Sequence, residues 1–397
     1  MSGGAAVPGP RTILDAEELI GASQRATGLA DFGAPDPRES LQQLVRSLND
    51  EAQLTEQGAA AKRASLIRVL SNRLLLQHEL ARSPRIAAER ITTPIVILGM
   101  PRSGTTKLHR MIAADPVMQK LPLWRLLYPV RALTVGPGGD VERRIAATDA
   151  FVDAIRTRSP ALYAAHPMMA LEPDEEYFAM EISFLAYLNT SSFHTPGYEA
   201  WLAAQDFDTW YVWLKRLLQY VQYTEQAAGR PWVLKAPHHL GYLPLLLKHF
   251  PDTTVVHCHR DPAVAVASFC ALLHASRVTT SARVRPTDIG EYALRSYSWR
   301  IAAYLRDRLS AERTNRFVDV AYREILEDAP AVIRRSYAAA GIELDEARVQ
   351  AMRAWAAANE QHKHGRHRYA LAEFGLTDLQ VAEAFGDYTA RFASYLH

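Results

Sequence analysis

The stretch Ile95–Thr106, IVILGMPRSGTT, runs directly into KLHRMIAADP (107–116) and decides the fold. Four apolar residues, three of them β-branched, read as a buried strand. A turn rich in glycine and hydroxyl groups follows, and helical apolar spacing then resumes at Leu108, Met111 and Ile112. Strand, tight turn and helix start together make an anion cradle. The unpaired N–H groups of the first helical turn and the positive end of the helix dipole point at whatever sits there. Ser103, Thr105 and Thr106 add hydroxyl donors, and Arg102 adds a planar, permanent cation suited to phosphate or sulfate oxygens. A purely structural turn needs one capping hydroxyl, not three and an arginine.

Around this stretch, the chain of 397 residues has room for one large α/β domain with additions, or for two domains. A hydrophobic content of 48% and a charged content of 22% are those of an ordinary globular protein. The formal net charge of +2 excludes a broadly basic nucleic-acid binder, so any anion binding is local. Two cysteines, Cys258 and Cys270, cannot form a disulfide framework, and their apolar neighbours fit a reducing compartment. No apolar run reaches the roughly 18 residues that a membrane span requires. The opening MSGGAAVPGPRT lacks the apolar stretch of a signal peptide, which makes the cytoplasm the expected location.

Residues 1–12, rich in Gly, Pro and Ala, are expected to be disordered. From Ser40 to Arg82 the pattern is helical, with Leu66, Leu70 and Leu74 on one face and two helices parted near Gly58. This is read as an N-terminal helical layer with a scaffolding role. Gly136–Asp140 reads as a loop, and residues 141–230 are mainly helical, with a stripe of Trp210, Trp213, Leu214, Leu217 and Val221. Tyr163–Tyr223 holds 14 of the 36 aromatic residues, so an aromatic-lined apolar cavity beside the cradle competes with simple core packing. Within it, LEPDEEYFAM (171–180) gathers Glu172, Asp174, Glu175 and Glu176. Pro173 suits a first helical turn, and the acids suit its dipole; alternatively one carboxylate faces the cavity as a base.

WVLKAPHHL begins with a short strand at Trp232–Leu234 and sets Lys235, His238 and His239 at its C-terminal end. In open parallel sheets ligands collect outside such ends. Lys235 can therefore reach the same anion as Arg102, and one of the two histidines can accept a proton. A further strand, Thr253–His259, ends in Arg260, Asp261 and Pro262, the last two fixing a helix start. Ser268 lies eight residues beyond Arg260, about two helical turns on, where an anion shared with Arg260 would give it a partner.

In order and spacing these stretches resemble the PAPS-dependent sulfotransferases, above all the bacterial soluble branch found in actinobacteria, over roughly residues 30–397. PRSGTT (101–106) is similar to the family's 5′-phosphosulfate loop and HRDPAVAVAS (259–268) to its 3′-phosphate motif. LKAPHHL (234–240) resembles its K-x-P-x-H-L element, and the segment 319–341 resembles the one whose tyrosine, here Tyr322, lies near the adenine. HGRHRYALAEFGL (364–376) resembles the branch's C-terminal signature.

The resemblance implies an α/β, P-loop-like three-layer sandwich: a central parallel sheet flanked by helices, with an N-terminal helical extension (1–90) and a sulfotransferase domain (91–397). Within the latter, residues 136–230 would form a helical substrate cap, and 351–397 would cover the nucleotide. It implies transfer of a sulfuryl group from PAPS, 3′-phosphoadenosine 5′-phosphosulfate, as co-substrate to a hydroxyl or amine of an apolar small-molecule or lipid acceptor. Arg102, Ser103, Gly104, Thr105 and Thr106 would hold the phosphosulfate; Arg260 and Ser268 the 3′-phosphate; Tyr322 the adenine. Gly365, Arg366 and Arg368, with Lys363 as a further candidate, would close over the nucleotide. Among catalytic groups, His239 matches the family's general base, with His238 as its rival, and Arg102, Lys235 and Glu176 complete the set. The eukaryotic cytosolic relatives carry Lys where this chain has Arg102, which cannot give up its proton; that leaves Lys235, or charge stabilisation alone, to assist the leaving oxygen.

Transfer in line between two oxygens requires positioning and cations but no metal. No spaced Cys/His cluster is present, and the pair His364 and His367 sits in a Gly/Arg loop. Two other functions remain. In a P-loop kinase Gly99, Gly104 and Thr106 fit the phosphate-loop spacing, but Thr105 occupies the lysine position. A non-catalytic nucleotide or lipid carrier of the same fold is the other. Oligomeric state stays open, a homodimer included.

Overall fold

The computed structural model describes residues 14–92, 94–133, 139–359 and 370–396. Its centre is a four-stranded, wholly parallel sheet in the order β2-β1-β3-β4. The strands are β1 (Ile95–Gly99), β2 (Val233–Lys235), β3 (Thr254–His259) and β4 (Arg316–Ala321). The three β-branched residues of β1 favour extended backbone, and all five of its residues are buried. Ile95 and Ile97 face one apolar cluster, with Leu108, Ile112 and Val233, while Val96 and Leu98 face the other, with Trp213 and Leu217. This period of two makes β1 the middle of three layers.

From β1 the chain crosses to β2 on one side and then to β3 on the other, so β1 is the strand where the order reverses. Ligand crevices open outside the carboxyl ends of strands at such a point. The registers Ile97↔Lys235 and Gly99↔Cys258 put the end of β1 two residues beyond the level of Lys235 and one residue short of His259.

The N-terminal layer consists of α1 (Ala16–Thr27), α2 (Arg38–Asp50) and α3 (Glu56–Arg82). Leu66, Leu70 and Leu74 of α3 are almost wholly buried and belong to the same cluster as Val96 and Trp213. The helix break expected near Gly58 lies at residues 51–55, where the Thr55 hydroxyl caps α3 by accepting from the Gly58 N–H. Gly58 lies in the first turn of the helix, where the Thr280 backbone packs so close that an added Cβ would lie 2.0 Å from the Thr280 oxygen.

A second correction concerns Pro173. It opens no helix: it forms a bridge with Pro122, and a 3₁₀ helix begins only at Glu176, running to Ser183. The region from Asp140 to Thr224 is mainly helical, ending in Asp208–Thr224, whose apolar stripe is buried. After β3 comes the long helix Pro262–Arg277, capped by the Asp261 carboxylate at the Val264 N–H. Among the described residues no helix is long and apolar enough to cross a membrane.

Candidate active site

The turn after β1 is held in a conformation that only part of its sequence favours. Gly104, at φ +87°, starts α4 (Thr105–Ala113) and has no side chain to cap the first-turn N–H groups. A Cβ there would lie 3.0 Å from both the Tyr322 ring and Ile325. At Gly99 a Cβ would lie 2.4 Å from the Cys258 carbonyl oxygen. Backbone comes this close only where both residues are glycine. Arg102 also has positive φ, +71°, which costs a non-glycine residue about 1–2 kcal/mol. Such strain persists where surrounding contacts over-determine it, and here they do. Arg102 Nε donates to Ser268 Oγ at 3.2 Å, its Nη1 donates to the Ala165 carbonyl, and its own carbonyl accepts from Arg260 Nη1 at 2.5 Å. The Arg260 guanidinium in turn lies 4.1 Å from the centre of the Tyr322 ring. Residues from three distant stretches, at 165, 260–268 and 322, thus meet on one loop.

The expected loop donors differ from one another. Ser103 is fully buried, and its hydroxyl donates to the Met100 carbonyl at 2.7 Å, so it shapes the turn. Thr105 is buried as the first residue of α4, whereas Thr106 accepts from Lys235 Nζ at 3.3 Å. Gly365 and Arg366, with Lys363 and Arg368, lie outside the described residues.

Lys235, fully buried at the end of β2, joins the loop to the acidic segment. Its Nζ donates to Glu175 Oε1 at 2.6 Å as well as to Thr106. Glu175 lines a largely apolar cavity of about 540 Å³, a size suited to a small organic molecule. Its neighbour Glu176 turns inward: Oε2 accepts the Lys235 backbone N–H at 2.8 Å, and Oε1 meets His239 Nε2 at 2.8 Å. The other ring nitrogen of His239 meets the Tyr211 hydroxyl at 2.8 Å. Burial works against ionisation of Glu176, but the hydrogen bond and charge of His239 hold its carboxyl below the usual range. His239 and Glu176 are therefore a closed, buried pair away from the cavity lining.

His238 does line the cavity and stacks on Tyr177 at 4.5 Å. Burial, then the charges of Arg300 and His239, push its imidazole well below the ordinary value, leaving it neutral and weakly basic. Sequence reasoning missed a second carboxylate knot behind Glu175: Asp174 meets His166 Nε2 at 3.2 Å and Arg110 at 3.6 Å. Burial opposes its ionisation, yet His166, Lys235 and Arg110 hold its carboxyl well below the usual range. In the sequence Asp174 reads as one of the acids of a helix start, and only the bridged Pro173 reveals its inward turn.

Among the described residues one cluster has metal-ligand types, His257, His259 and Asp319, with ligand atoms within 4.8 Å of one another. Asp319 already accepts two bonds from Arg308 at 2.6 Å and one from His259 at 2.8 Å. A dication there would sit against the Arg308 guanidinium, so the cluster reads as a polar brace between β3 and β4.

Comparison with known proteins adds three findings. The sequence model of a family described as "Sulfotransferase family" matches residues 94–346. Relatives from Mycobacterium bovis and Mycobacterium tuberculosis, each named omega-hydroxy-beta-dihydromenaquinone-9 sulfotransferase Stf3, are 23% identical over 304 residues, covering 74% of this chain and 74% of theirs. Among solved structures, sulfotransferase STF1 from Mycobacterium tuberculosis H37Rv superposes with a TM-score of 0.80 at 29% identity, over 95% of this chain and 100% of that one. Sulfotransferase STF9 from Mycobacterium avium gives 0.84 at 27% identity, over 96% and 97%.

Proposed function

The chain belongs to the sulfotransferase family, and from that premise we propose that it moves a sulfuryl group from PAPS to a hydroxyl of an apolar small-molecule or lipid acceptor bound in the cavity. One observation carries this reading: Lys235 bonds at once to Thr106 of the anion loop and to Glu175 of the cavity wall. An ammonium at that junction faces the leaving phosphate oxygen on one side and the attacking hydroxyl on the other.

The donor side is supported by fit. The uncapped N–H groups of α4, Arg102 and Thr106 surround the cradle, and the absence of a Cβ at Gly104 lets Tyr322 pack against the loop. These residues hold the 5′-phosphosulfate, Arg260 and Ser268 the 3′-phosphate, and Tyr322 stacks near the adenine. Arg102, which keeps its proton, binds and neutralises; Lys235 assists the departing oxygen.

The base passes from His239 to Glu175. His239 has both ring nitrogens bonded and does not line the cavity, whereas Glu175 lines it. Glu176 and His239 position Lys235 by anchoring its backbone. Lipid character in the acceptor is supported by the apolar cavity and by the names of the mycobacterial relatives. A cytoplasmic location goes with this reading, supported by two buried cysteines that form no disulfide.

The test is incubation with sulfur-labelled PAPS and primary n-alkanols, followed by mass spectrometry of the product, beside thermal melting with nucleotides. Sulfated alcohol and stabilisation by 3′-phosphoadenosine 5′-phosphate without metal, about 2.7 kcal/mol at a hundredfold excess over Kd, are expected. Stabilisation by ATP–Mg²⁺ alone would move the protein to the kinases; nucleotide binding without any transfer would make it a carrier.

A further inference from the structure

The 3₁₀ helix Glu176–Ser183 also marks out a length. Glu175 is the N-cap of this helix, Phe178 and Glu181 follow it at the three-residue pitch, and all three line the cavity. At about 2 Å per residue, Glu181 stands about 12 Å from Glu175. Glu181 belongs to a second charged group on a largely apolar wall that also carries Arg158, His166 and His238. Lys62 Nζ, from α3, donates to Asn189 Oδ1 at 2.6 Å and lies 3.7 Å from Glu181, and Arg68, also from α3, lies 3.5 Å from it. Their side chains are 5%, 6% and 14% exposed for Lys62, Glu181 and Arg68. Two cations face one carboxylate, which leaves one positive charge in excess.

Burying an ion costs several kcal/mol, and an apolar wall of the same volume is commonly as stable or more so. Asn189 meets Lys62 and the Leu127 carbonyl accepts from Arg68 at 2.9 Å, but this cluster holds one carboxylate for two cations, so an anionic group on the acceptor would complete it. Burial pushes the Lys62 ammonium below its ordinary pKa against the opposing charge of Glu181, as it does for a cation short of counter-charge.

We infer that the cavity selects an amphipathic alcohol with two polar ends about 12 Å apart: a hydroxyl at Glu175 that receives the sulfuryl group, and an acceptor oxygen, carboxylate ahead of carbonyl, that takes hydrogen bonds from Lys62 and Arg68. An apolar body runs between them along Phe178. The inference rests on the sulfotransferase reading of the Glu175 end, since it defines where the reacting hydroxyl sits.

The test compares the full chain, with labelled PAPS, on a series of n-alkanols and on ω-hydroxyalkanoates of matching length. The wild type should favour the hydroxyalkanoate in kcat/KM by about tenfold to a hundredfold, the worth of one charge-assisted hydrogen bond, and the preference should peak at one chain length. Lys62→Met should erase most of that preference, with the loss in KM, and Lys62→Gln, which keeps a donor, should retain part of it. Equal turnover of both series by the wild type, or equal losses on both in Lys62→Met, would overturn the inference while leaving sulfuryl transfer intact. Turnover of neither series would overturn the transfer reading and the inference together.

Discussion

The loop Met100–Gly104 and the cavity wall around Glu175 meet at Lys235, yet they are assembled in different ways. The loop is local: strand, turn and helix start follow one another within residues 95–113, and its tight geometry comes from Gly99 and Gly104 in place. The wall is composite. Glu175 caps and Glu181 lies within a short 3₁₀ helix, Lys62 and Arg68 come from α3 more than a hundred residues earlier, and His238 from the turn after β2. A contiguous site is written in neighbouring residues. A composite one exists only after the layers have packed.

The largest expected effect tests the wall. Removing a positioned general base costs about 10²–10⁴-fold in rate, so Glu175→Gln should lower kcat by that factor while binding of 3′-phosphoadenosine 5′-phosphate, read by titration, changes little. Glu176→Gln and His239→Ala should cost far less in kcat, because these residues act through the placement of Lys235. A reversal, with Glu175→Gln active and Glu176→Gln or His239→Ala inert, would return the base to the buried pair.

That pair shows why the wall was harder to read. Glu175 and Glu176 are chemically the same and adjacent, and nothing in LEPDEEYFAM says which faces the cavity. The choice is made by Pro173, which bridges to Pro122 instead of opening a helix, and by the 3₁₀ pitch that follows. The histidines at 238 and 239 posed the same problem, resolved by Tyr211 and Glu176 bonding both nitrogens of His239. Lys62 did leave a trace: it lies four residues before Leu66 and so extends the buried stripe of Leu66, Leu70 and Leu74 by one turn. A lysine on the buried face of an amphipathic helix is a signal, but the scaffolding role given to this layer hid it. By contrast the strand–turn–helix of β1 and the Asp261 cap were legible, since each depends on residues close in sequence, while the parallel pairing of distant strands came only with the family resemblance.

The middle-sized effect tests the loop. Arg260 holds the Arg102 carbonyl and lies over Tyr322. If it also takes the 3′-phosphate, Arg260→Ala should weaken 3′-phosphoadenosine 5′-phosphate by about tenfold to a hundredfold, the range of a hydrogen bond to a charged group, and should weaken AMP much less. Equal weakening of both nucleotides would mean that Arg260 only braces the loop, and the 3′-phosphate assignment would fall.

The smallest effect separates positioning from chemistry at the junction of the two regions. Glu176 is buried, bonded to His239 and to the Lys235 backbone, and its carboxyl is held below the usual range. A carboxyl whose pKa is lower in the folded than in the unfolded chain, ordinarily 4.5, stabilises the fold fully above that unfolded value. The contribution fades as pH falls through the lowered folded value. Glu176→Gln should therefore cost about 1–2 kcal/mol at neutral pH, as a lost charge-assisted bond with the site still filled. The gap in melting temperature between wild type and variant should be widest near neutrality and narrow below pH 4.5. A gap that held constant or widened into acid would show that Glu176 is protonated in the native state. It would then be a hydrogen-bond donor rather than the anion that fixes His239 and the end of β2, and the division of labour between adjacent carboxylates would have to be redrawn.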